Sequence, residues 1–235
     1  MKQKILVTGG DGRFSKVLKK NSRSLNLIFK SKKDCDILNL NSLLKCIKKT
    51  KPNIVLHCAG LSRPMKVHET NIYKSIDLNI IGTANVVKVC HKFNLKLIYM
   101  STGYVYSGQK GNFREEDGAN PFNNYGWSKL GGESSVAMYR NSLILRVTMT
   151  EKPFKFKSAY SNLISNFMYH EDLVKMLPKL MNKKGIINVG GKKQSVYDFV
   201  KKDNRKIKKI KLKKNSSLPL NQTMNLTKLN KIIRW

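Results

Sequence analysis

Short apolar runs alternate along this chain with longer segments whose apolar residues recur at helical spacing. The apolar runs cover residues 4–8, 25–29, 54–60, 95–100 and 142–147. The segments with helical spacing begin after residue 12 and then cover residues 40–49, 79–91 and 124–139. Continuous apolar runs of this length predict buried strands, and a period of about 3.6 residues predicts helices. Because strands and helices alternate, we predict an α/β fold with a doubly wound parallel sheet that is covered on both faces.

The alternation becomes less regular after Val147. Two further helices and a short strand are predicted over residues 170–181, 196–202 and 185–189. We therefore divide the chain into a main domain, residues 1–150, and a short region, residues 151–235. We expect the short region to be interleaved with the main domain rather than independent of it.

One segment near the C-terminus is rich in charge. Residues 201–214 contain nine basic side chains and one acid. We interpret this segment as a solvated strand or loop edge, since Ile207, Ile210 and Leu212 lie between the charges. An arm that binds polyanions is the alternative.

The whole chain is also strongly basic. It has 46 lysine and arginine residues against 14 acidic residues, a formal charge of +32. Such a charge attracts polyanions, including nucleic acid and phosphorylated metabolites. However, lysine is spread through the whole sequence, and net charge bears on association rather than on fold or activity. We therefore expect a compositional origin and no dedicated nucleic-acid partner.

The spacing of the cysteines and the lengths of the apolar runs indicate whether the protein binds zinc, is secreted or crosses a membrane. The four cysteines form no C-x-x-C pair, which argues against a zinc site or a redox motif. The N-terminal apolar run is too short for a signal peptide, and no run approaches membrane-spanning length. We expect a reduced, cytoplasmic protein that is not embedded in a membrane and has no dedicated metal site.

A glycine-rich turn joins the first predicted strand to the first predicted helix, with the sequence Gly9-Gly10-Asp11-Gly12-Arg13-Phe14. Gly9 permits the tight turn, Gly12 lets the backbone approach a pyrophosphate, and the small Ser15 allows the helix to pack closely on the strand. The helix N-terminus offers free N–H groups and a partial positive charge to phosphates. At the first strand of an alternating α/β chain, this turn predicts a Rossmann-type domain that binds a dinucleotide.

The end of the second predicted strand bears on the choice of dinucleotide. A Rossmann domain that prefers NAD usually has an acid about 20 residues after the glycine turn. Here the sequence is Lys30-Ser31-Lys32-Lys33, and the first acid is Asp34. Lysines at this position suit a 2′-phosphate, so we predict NADP, with NAD as the alternative. Asp36 and Ile37 lie where such folds hold the adenine, although a helix-capping aspartate would look the same.

A tyrosine and a lysine lie four residues apart in the predicted helix 124–139. Tyr125 and Lys129 therefore share one face, and we expect the Lys129 ammonium to lower the pKa of the Tyr125 phenol from its usual value of about 10. Such a phenol can exchange a proton with a carbonyl oxygen while hydride is transferred. Ser101 and Thr102 follow a predicted strand at the carboxyl edge of the sheet, where a hydroxyl can hold the same oxygen. Asn79 can brace this site from the preceding helix.

The motifs of the first 150 residues together resemble those of the extended short-chain dehydrogenase/reductases. The matching motifs are Thr8-Gly9-Gly10-x-Gly12, His57-Cys58-Ala59-Gly60, Asn79-x-x-Gly82-Thr83, Ser101-Thr102-Gly103-Tyr104-Val105-Tyr106 and Tyr125-x-x-x-Lys129. Residues 99–133 are most similar to the dTDP-4-dehydrorhamnose reductase branch of that family. After residue 150 the similarity is limited to short segments such as His170-Glu171-Asp172-Leu173.

The resemblance implies an activity for these residues. Thr102, Tyr125 and Lys129 would form the catalytic triad, and Lys129 would also hold the nicotinamide ribose. The implied reaction is the NADPH-dependent reduction of a 4-keto nucleotide sugar, in the synthesis of a surface polysaccharide. A nucleotide-sugar epimerase that uses NAD and a non-catalytic subunit that binds sugar nucleotides are the alternatives. Residues 151–235 would then help to bind the substrate, and a homodimer is one candidate assembly.

The candidate site is thus a defined set of residues. The predicted cofactor-binding residues are Gly9, Gly10, Asp11, Gly12, Arg13, Phe14, Lys30, Asp36, Ile37, Cys58, Ala59, Gly60, Asn79, Ser101, Tyr125 and Lys129. The predicted substrate-binding residues are Thr102, Gly103, Tyr104 and Arg146. Arg146 would meet the phosphates of the nucleotide sugar, or would instead pair with a neighbouring acid.

Overall fold

The computed structural model describes residues 3–22, 24–213 and 218–233. The described strands, in chain order, are β1 (Lys4–Thr8), β2 (Asn26–Lys30), β3 (Ile54–His57), β4 (Lys96–Thr102), β5 (Ser142–Val147), β6 (Met149–Thr150), β7 (Ser158–Tyr160), β8 (Ile164–Ser165), β9 (Met168–Tyr169), β10 (Gly185–Val189), β11 (Gln194–Ser195) and β12 (Lys208–Ile210). The α-helices are α1 (Arg13–Asn21), α2 (Leu40–Thr50), α3 (Lys66–Thr70), α4 (Ile72–Ser75), α5 (Gly82–Lys92), α6 (Asn124–Ala137), α7 (His170–Leu180), α8 (Val196–Lys201) and α9 (Thr227–Ile233).

Six of these strands form one parallel sheet in the order β10-β5-β4-β3-β1-β2. The predicted Rossmann-type α/β fold is confirmed, and each strand predicted for the main domain is present. β3 and β5 are buried along their whole length, which explains their continuous apolar runs. The strand order reverses between β1 and β3, and this reversal leaves a crevice at the carboxyl ends of the two strands.

Helices cover both faces of the sheet. On one face, Leu18 of α1 and Leu177 of α7 belong to one apolar cluster with the strands. On the other face, Leu43 of α2, Val86 of α5 and Val136 of α6 belong to a second cluster. Burial of such apolar surface contributes roughly 25 cal/mol per Å², so these two layers provide most of the driving force for the fold.

The helix before β4 differs from the prediction in its start and in its winding. α4 continues through a π-helical segment, Ile76–Ile81, into α5. The flanking residues Ser75 and Gly82 have helical backbone angles, so the three segments form one continuous helix. π-Helical segments often occur at functional sites, and this one contains Asn79.

The chain after β5 contributes to two parts of the fold. Three pairs of short strands, β6 with β9, β7 with β12 and β8 with β11, follow β5. They surround a third apolar cluster that includes Leu163, Phe199 and Val200. In contrast, α7 and β10 return to the main sheet. The short strands were not predicted, because strands of two or three residues leave no readable periodicity.

The basic segment 201–214 includes the strand edge that its pattern predicts. Lys208–Ile210 forms β12, which pairs in parallel with β7. Ile207 and Leu212 are buried in the third cluster, and the lysines between them are exposed. Lys214 lies outside the described residues.

Candidate functional site

A large cavity lies at the carboxyl edge of the parallel sheet. Its volume is about 1150 Å³, which is above the range of roughly 300–1000 Å³ that is usual for one drug-sized ligand. The glycine turn, the ends of β3 and β4, helix α6 and the chain after β5 form its walls. The predicted site residues that line it are Asp11, Gly12, Arg13, Phe14, Cys58, Ala59, Gly60, Ser101, Thr102, Tyr104, Tyr125 and Lys129.

Contacts at the glycine turn leave no space for side chains. Gly9 has a φ of +66°, and a Cβ atom there would lie 2.7 Å from the Cα of Ala59. A Cβ atom at Gly10 would lie 2.9 Å from the backbone N of Lys30. Gly9 and Gly10 therefore hold the turn against the ends of β3 and β2, behind the cavity wall.

The N-terminus of α1 faces the cavity without a capping side chain. Gly12, the residue before the helix, has an extended backbone, and its N–H donates to the carbonyl of Gly9 at 2.9 Å. The small Ser15 is buried, as the close packing of this helix requires. Free N–H groups and the positive end of a helix fit the diphosphate of a dinucleotide, and the absent side chain of Gly12 leaves room for its approach.

Tyr125 and Thr102 meet at the cavity wall. Both side chains line the cavity, and the Thr102 hydroxyl acts on the phenol to lower its pKa. The Tyr125 ring packs between His68 and Tyr104, with ring centroids 5.0 and 5.9 Å away. Burial raises the pKa of Tyr125 to about 12, and the Thr102 hydroxyl opposes this shift only in part. The phenol is therefore protonated at neutral pH and can act as a proton donor.

Lys129 lies one helical turn from Tyr125, and its ammonium lies over the ring of Tyr99, 4.1 Å from the centroid. Burial lowers the pKa of Lys129 to about 7, while Glu133 and Cys58 oppose the shift. The prediction that Lys129 lowers the pKa of Tyr125 is wrong for this structure, since no described hydrogen bond joins the two and burial dominates. Residues four apart share a helix face but are displaced by about 6 Å along the axis, so they can have different neighbours.

Asn79 is buried behind the cavity, in the π-helical segment. Its Nδ2 donates to the carbonyl of Leu61 at 2.8 Å and to the hydroxyl of Ser128 at 2.9 Å. Its Oδ1 accepts a hydrogen bond from the N–H of Leu61 at 2.7 Å. One amide thus ties the loop after β3 to α6, beside Lys129. This is a bracing position, and the cavity wall does not include Asn79.

A buried histidine that the sequence does not single out supports the floor of the site. His57 ends β3, with Nδ1 2.8 Å from the hydroxyl of Thr8 and Nε2 3.1 Å from that of Thr83. Its ring stacks on Tyr99, the same ring that lies beneath Lys129. Burial and the charge of Lys129 lower the pKa of His57 to about 3, so the ring is neutral. The motif that begins at His57 marks this segment in the sequence. It does not reveal that the ring meets the hydroxyl groups of Thr8 and Thr83, which are 49 and 26 residues away.

Arg146 lies inside β5 rather than after it, and its guanidinium is buried. Its Nη2 donates to Oε2 of Glu133 at 2.9 Å, and its Nη1 donates to the hydroxyl of Tyr106 at 2.8 Å. Ser101 also donates a hydrogen bond to Glu133. The prediction that Arg146 meets the substrate phosphates is therefore wrong. Its alternative, an ion pair with a neighbouring acid, is what the structure has. Strand residues alternate between the two faces of a sheet, and position 146 falls on the face beneath α6.

Gly103 and Tyr104 follow Thr102 in a short 3₁₀ turn, Gly103–Val105. A Cβ atom at Gly103 would lie 2.8 Å from the hydroxyl of Thr148, so this glycine packs the turn against the chain after β5. The Tyr104 ring lies 5.1 Å from that of Phe122 and lines the cavity. Of the two residues, Tyr104 alone is positioned to touch a ligand.

Lys30, Asp36 and Ile37 lie at the end of β2 and in the loop after it, outside the main cavity wall. The carbonyl of Lys30 accepts a hydrogen bond from the N–H of Gly10 at 2.8 Å. The carboxylate of Asp36 accepts one from the N–H of Leu38 at 3.0 Å within the loop, whereas α2 is capped by Asn39, so the capping alternative is wrong. Ile37 is buried against the start of α5. Their roles at the adenosine end of a dinucleotide stay predictions.

The chain after β5 provides a wall in which the quoted sequence motifs include His170 alone. Glu151, Phe154 and Phe156 lie in this wall. His170, the first residue of α7, also lines the cavity, and its ring meets that of Phe14 edge-on at 5.8 Å. No spacing rule identifies these residues, because most of them lie in irregular chain between short strands.

Metal clusters and membrane-spanning helices are both absent from the described part of the chain. Across residues 3–22, 24–213 and 218–233, no three His, Cys, Asp or Glu side chains are grouped as a metal site would require. No helix within the same ranges is long and apolar enough to cross a membrane.

A parallel sheet with a glycine turn after its first strand, and with hydroxyl, phenol and amine groups in a cavity at its carboxyl edge, defines a Rossmann-type α/β protein. The chain belongs to the family of the RmlD substrate binding domain, whose model matches residues 3–166. The resemblance to the dTDP-4-dehydrorhamnose reductase branch is therefore confirmed at the level of the family.

Two curated relatives indicate how far the similarity extends. Methionine adenosyltransferase 2 subunit beta from Bos taurus is 30% identical over 143 residues, which are 57% of this chain and 42% of that protein. dTDP-4-dehydrorhamnose reductase from Aggregatibacter actinomycetemcomitans is 26% identical over 152 residues, which are 63% of this chain and 51% of that protein. The chain thus spans about half the length of the curated relatives that it matches.

A solved structure matches over nearly the whole chain. The crystal structure of dTDP-4-dehydrorhamnose reductase from Bacillus anthracis, in complex with NADP, has a TM-score of 0.85 and 24% sequence identity. The match covers 98% of this chain and 92% of that chain. At this identity, the likeness shows a common fold.

Proposed function

We propose that this chain is an NADPH-dependent reductase that acts on the 4-keto group of a nucleotide sugar. The supporting observation is that Thr102 and Tyr125 line one cavity together with Lys129 and the glycine turn. Two adjacent hydroxyl groups can hold one carbonyl oxygen, and one of them can give it a proton. A relative in this family is named for a keto nucleotide sugar, dTDP-4-dehydrorhamnose.

The protonation state of Tyr125 favours reduction over oxidation. Its pKa, raised to about 12 by burial, keeps the phenol protonated near neutral pH. Reduction of a ketone needs a proton donor at the oxygen, whereas oxidation of an alcohol needs a base. A nucleotide-sugar epimerase begins by oxidising its sugar and would therefore need a phenolate at this position. An epimerase is the nearest alternative in the same fold, and it would need the phenolate for its first step and the protonated phenol for its second.

The cofactor that suits the cavity is a nicotinamide dinucleotide, which would supply the hydride. Gly12 and the uncapped N-terminus of α1 would hold its diphosphate through backbone N–H groups. Lys129, in the same wall, would donate to the nicotinamide ribose. Lys30 would meet a 2′-phosphate at the other end, so we propose NADP, with NAD as the alternative.

The substrate would lie against the chain after β5. Phe154 and Phe156 line that side of the cavity and offer apolar surface to a sugar and a base. Tyr104 also lines the cavity, with its ring centroid 5.9 Å from that of Tyr125. We place the reaction in the synthesis of an activated sugar for a surface polysaccharide.

A non-catalytic binding subunit is the second candidate. A relative that covers more than half of this chain is named as the beta subunit of a methionine adenosyltransferase. In addition, the Lys129 ammonium lies over Tyr99 instead of making a described contact with Tyr125. This candidate predicts binding of a dinucleotide or a sugar nucleotide without turnover.

The test follows NADPH oxidation with a panel of 4-keto nucleotide sugars. Tyr125→Phe removes the proton-donating hydroxyl and keeps the ring, so kcat should fall about 10²–10⁴-fold, with the Kd for NADPH unchanged. Tyr73→Phe is the matched control, because Tyr73 is 83% exposed and lies outside the cavity wall. Full turnover by Tyr125→Phe would show that the proton-donor assignment is wrong. Tight NADPH binding without turnover of any substrate by the unaltered chain would instead support the binding subunit.

A further inference from the structure

Four charged side chains, three of which line the cavity, form a group that we call the Glu151 cluster: Arg13, Arg63, Glu151 and Lys155. Oε2 of Glu151 lies 3.5 Å from Nη1 of Arg13 and 3.2 Å from Nη1 of Arg63. Oε1 of Glu151 lies 3.2 Å from Nζ of Lys155. Arg13 begins α1, Arg63 lies in the loop after β3, and Lys155 follows β6. Cations from three separate segments therefore converge on one carboxylate.

The carboxylate is enclosed, whereas the cations stay accessible. The Glu151 side chain is 12% exposed, against 38% for Arg13 and 34% for Arg63. All three residues line the cavity. A guanidinium has five N–H donors in a planar fork, and Arg63 uses one of its nitrogens on Glu151. The other N–H groups of Arg63 make no further described hydrogen bond, and its guanidinium lies 5.5 Å from the centroid of the Phe156 ring. Nη2 of Arg13 donates to Oγ of Ser62 at 2.8 Å, a bond that a stronger acceptor would have to replace.

The charge of the Glu151 cluster is unbalanced, with three cations against one anion. Burial alone would raise the pKa of Glu151, but the hydrogen bond from Lys155 and the two arginine charges outweigh it, and the pKa is lowered. Glu151 is therefore ionised at neutral pH. Ion pairs that remain partly exposed contribute little to stability, so an anion with more charge can displace this carboxylate from the arginines.

Arg13, Arg63 and Glu151 line the same cavity as Thr102, Tyr125 and Lys129. The charges of Arg13 and Arg63 both lower the pKa of Tyr125, against the larger effect of burial. Arg13 directly follows Gly12, the glycine that opens the helix N-terminus to a diphosphate. An anion held by the two arginines would thus lie in the cavity that Gly12 and Tyr125 also line.

We propose that the Glu151 cluster is a diphosphate-binding site, in which the Glu151 carboxylate takes the place of the anion until a ligand arrives. This inference rests on the proposed function, because the ligand is one of its two diphosphate esters, the dinucleotide or the nucleotide sugar. The planar forks of Arg13 and Arg63 match phosphate oxygens. When the diphosphate binds them, Glu151 keeps its ion pair with Lys155, four residues along the chain.

Isosteric variants test the site by titration calorimetry at a fixed, low salt concentration. Glu151→Gln keeps the shape of the side chain and removes the competing charge, so the diphosphate ligand should bind about threefold to tenfold more tightly. Arg63→Gln should weaken the same ligand by about tenfold. In the Arg63→Gln background, Glu151→Gln should give a smaller gain, because the two residues act on one site.

The controls match the changes in charge. Glu116→Gln removes a carboxylate that is 69% exposed and lies outside this cavity wall. Lys157→Gln removes an exposed cation close to Lys155 that is not part of the Glu151 cluster. The probes are NADPH in one arm and the nucleoside diphosphates dTDP and UDP in the other.

Each outcome has a defined meaning. A gain by Glu151→Gln with NADPH alone assigns the Glu151 cluster to the dinucleotide, and a gain with dTDP or UDP alone assigns it to the nucleotide sugar. If Glu151→Gln binds no probe more tightly than Glu116→Gln does, the proposal is overturned. If Glu151→Gln does not fold, Arg63→Gln decides, and unchanged affinity for every probe overturns the proposal. Because binding is measured without turnover, a tightened ligand with no NADPH oxidation would reject the reductase and keep the diphosphate site.

Discussion

The buried ion pair between Arg146 and Glu133 connects β5 to α6 beneath the candidate site. Both side chains are nearly inaccessible, with exposures of 5% and 4%. In Glu133→Leu, the guanidinium would keep a described side-chain partner in Tyr106 and would lose its counter-charge. We expect this variant to lose a large part of its free energy of unfolding, because a buried charge would be left without its partner.

Two independent estimates of the loss agree. The carboxylate accepts hydrogen bonds from Nε of Arg146 at 3.2 Å and from Nη2 at 2.9 Å. Each hydrogen bond to a charged group contributes about 1.5–3 kcal/mol, so the two together give roughly 3–6 kcal/mol. Breaking a buried pair by removing one partner costs about 3–5 kcal/mol in other proteins. Since a domain is typically stable by about 5–15 kcal/mol, the loss is roughly a fifth or more of the total.

The double variant Glu133→Leu/Arg146→Met separates loss of the pair from burial of a lone charge. Two apolar side chains of similar volume leave no uncompensated charge, so the double variant should recover much of the stability that Glu133→Leu loses. Urea unfolding followed by circular dichroism measures the free energy of unfolding by linear extrapolation. Glu116→Gln is the control, since its partner Arg114 is 3.8 Å away and both side chains are exposed.

The reasoning fails in either of two cases. If Glu133→Leu loses less than about 1 kcal/mol, the pair behaves as an exposed one, and its burial has no energetic consequence. If the double variant loses as much as the sum of the two single variants, the side chains do not interact in the folded state.

Two further variants test the glycine turn and the buried amine. Gly9→Ala should weaken NADPH binding by about tenfold or more and lower the Tm, because Gly9 has a φ of +66° and the new Cβ meets the backbone of Ala59. Gly118→Ala is the control and should change neither quantity, since no atom lies within 4 Å of a Cβ at Gly118. Lys129 has its pKa lowered by burial from 10.5 to about 7, so the unfolded chain binds more protons between these pH values and the free energy of unfolding should rise with pH over that range. Lys129→Met should remove this rise in the free energy of unfolding. If the free energies of unfolding of the unaltered protein and of Lys129→Met differ by the same amount at every pH from 7 to 10.5, the assigned pKa is contradicted.

Interactions between distant residues explain where the sequence-based predictions fell short. Spacing correctly placed Tyr125 and Lys129 on one helix, but their pKa values depend on neighbours from other elements, such as Tyr99 in β4. Arg146 was expected near phosphates, because its charge is visible in the sequence while its partner Glu133 is on another element. Glu151 and Arg63 are 88 residues apart, and no motif joins them.

Local sequence was sufficient for the order of strands and helices, the glycine turn and the Thr102, Tyr125 and Lys129 set. These features depend on apolar periodicity and on short spacings, which are properties of neighbouring residues. Packing determined which groups are buried, which charges meet and which residues form the far wall of the cavity. Desolvation and ion pairing depend on three-dimensional surroundings, so the raised pKa of Tyr125, the Arg146–Glu133 pair and the Glu151 cluster emerge only when the chain is folded.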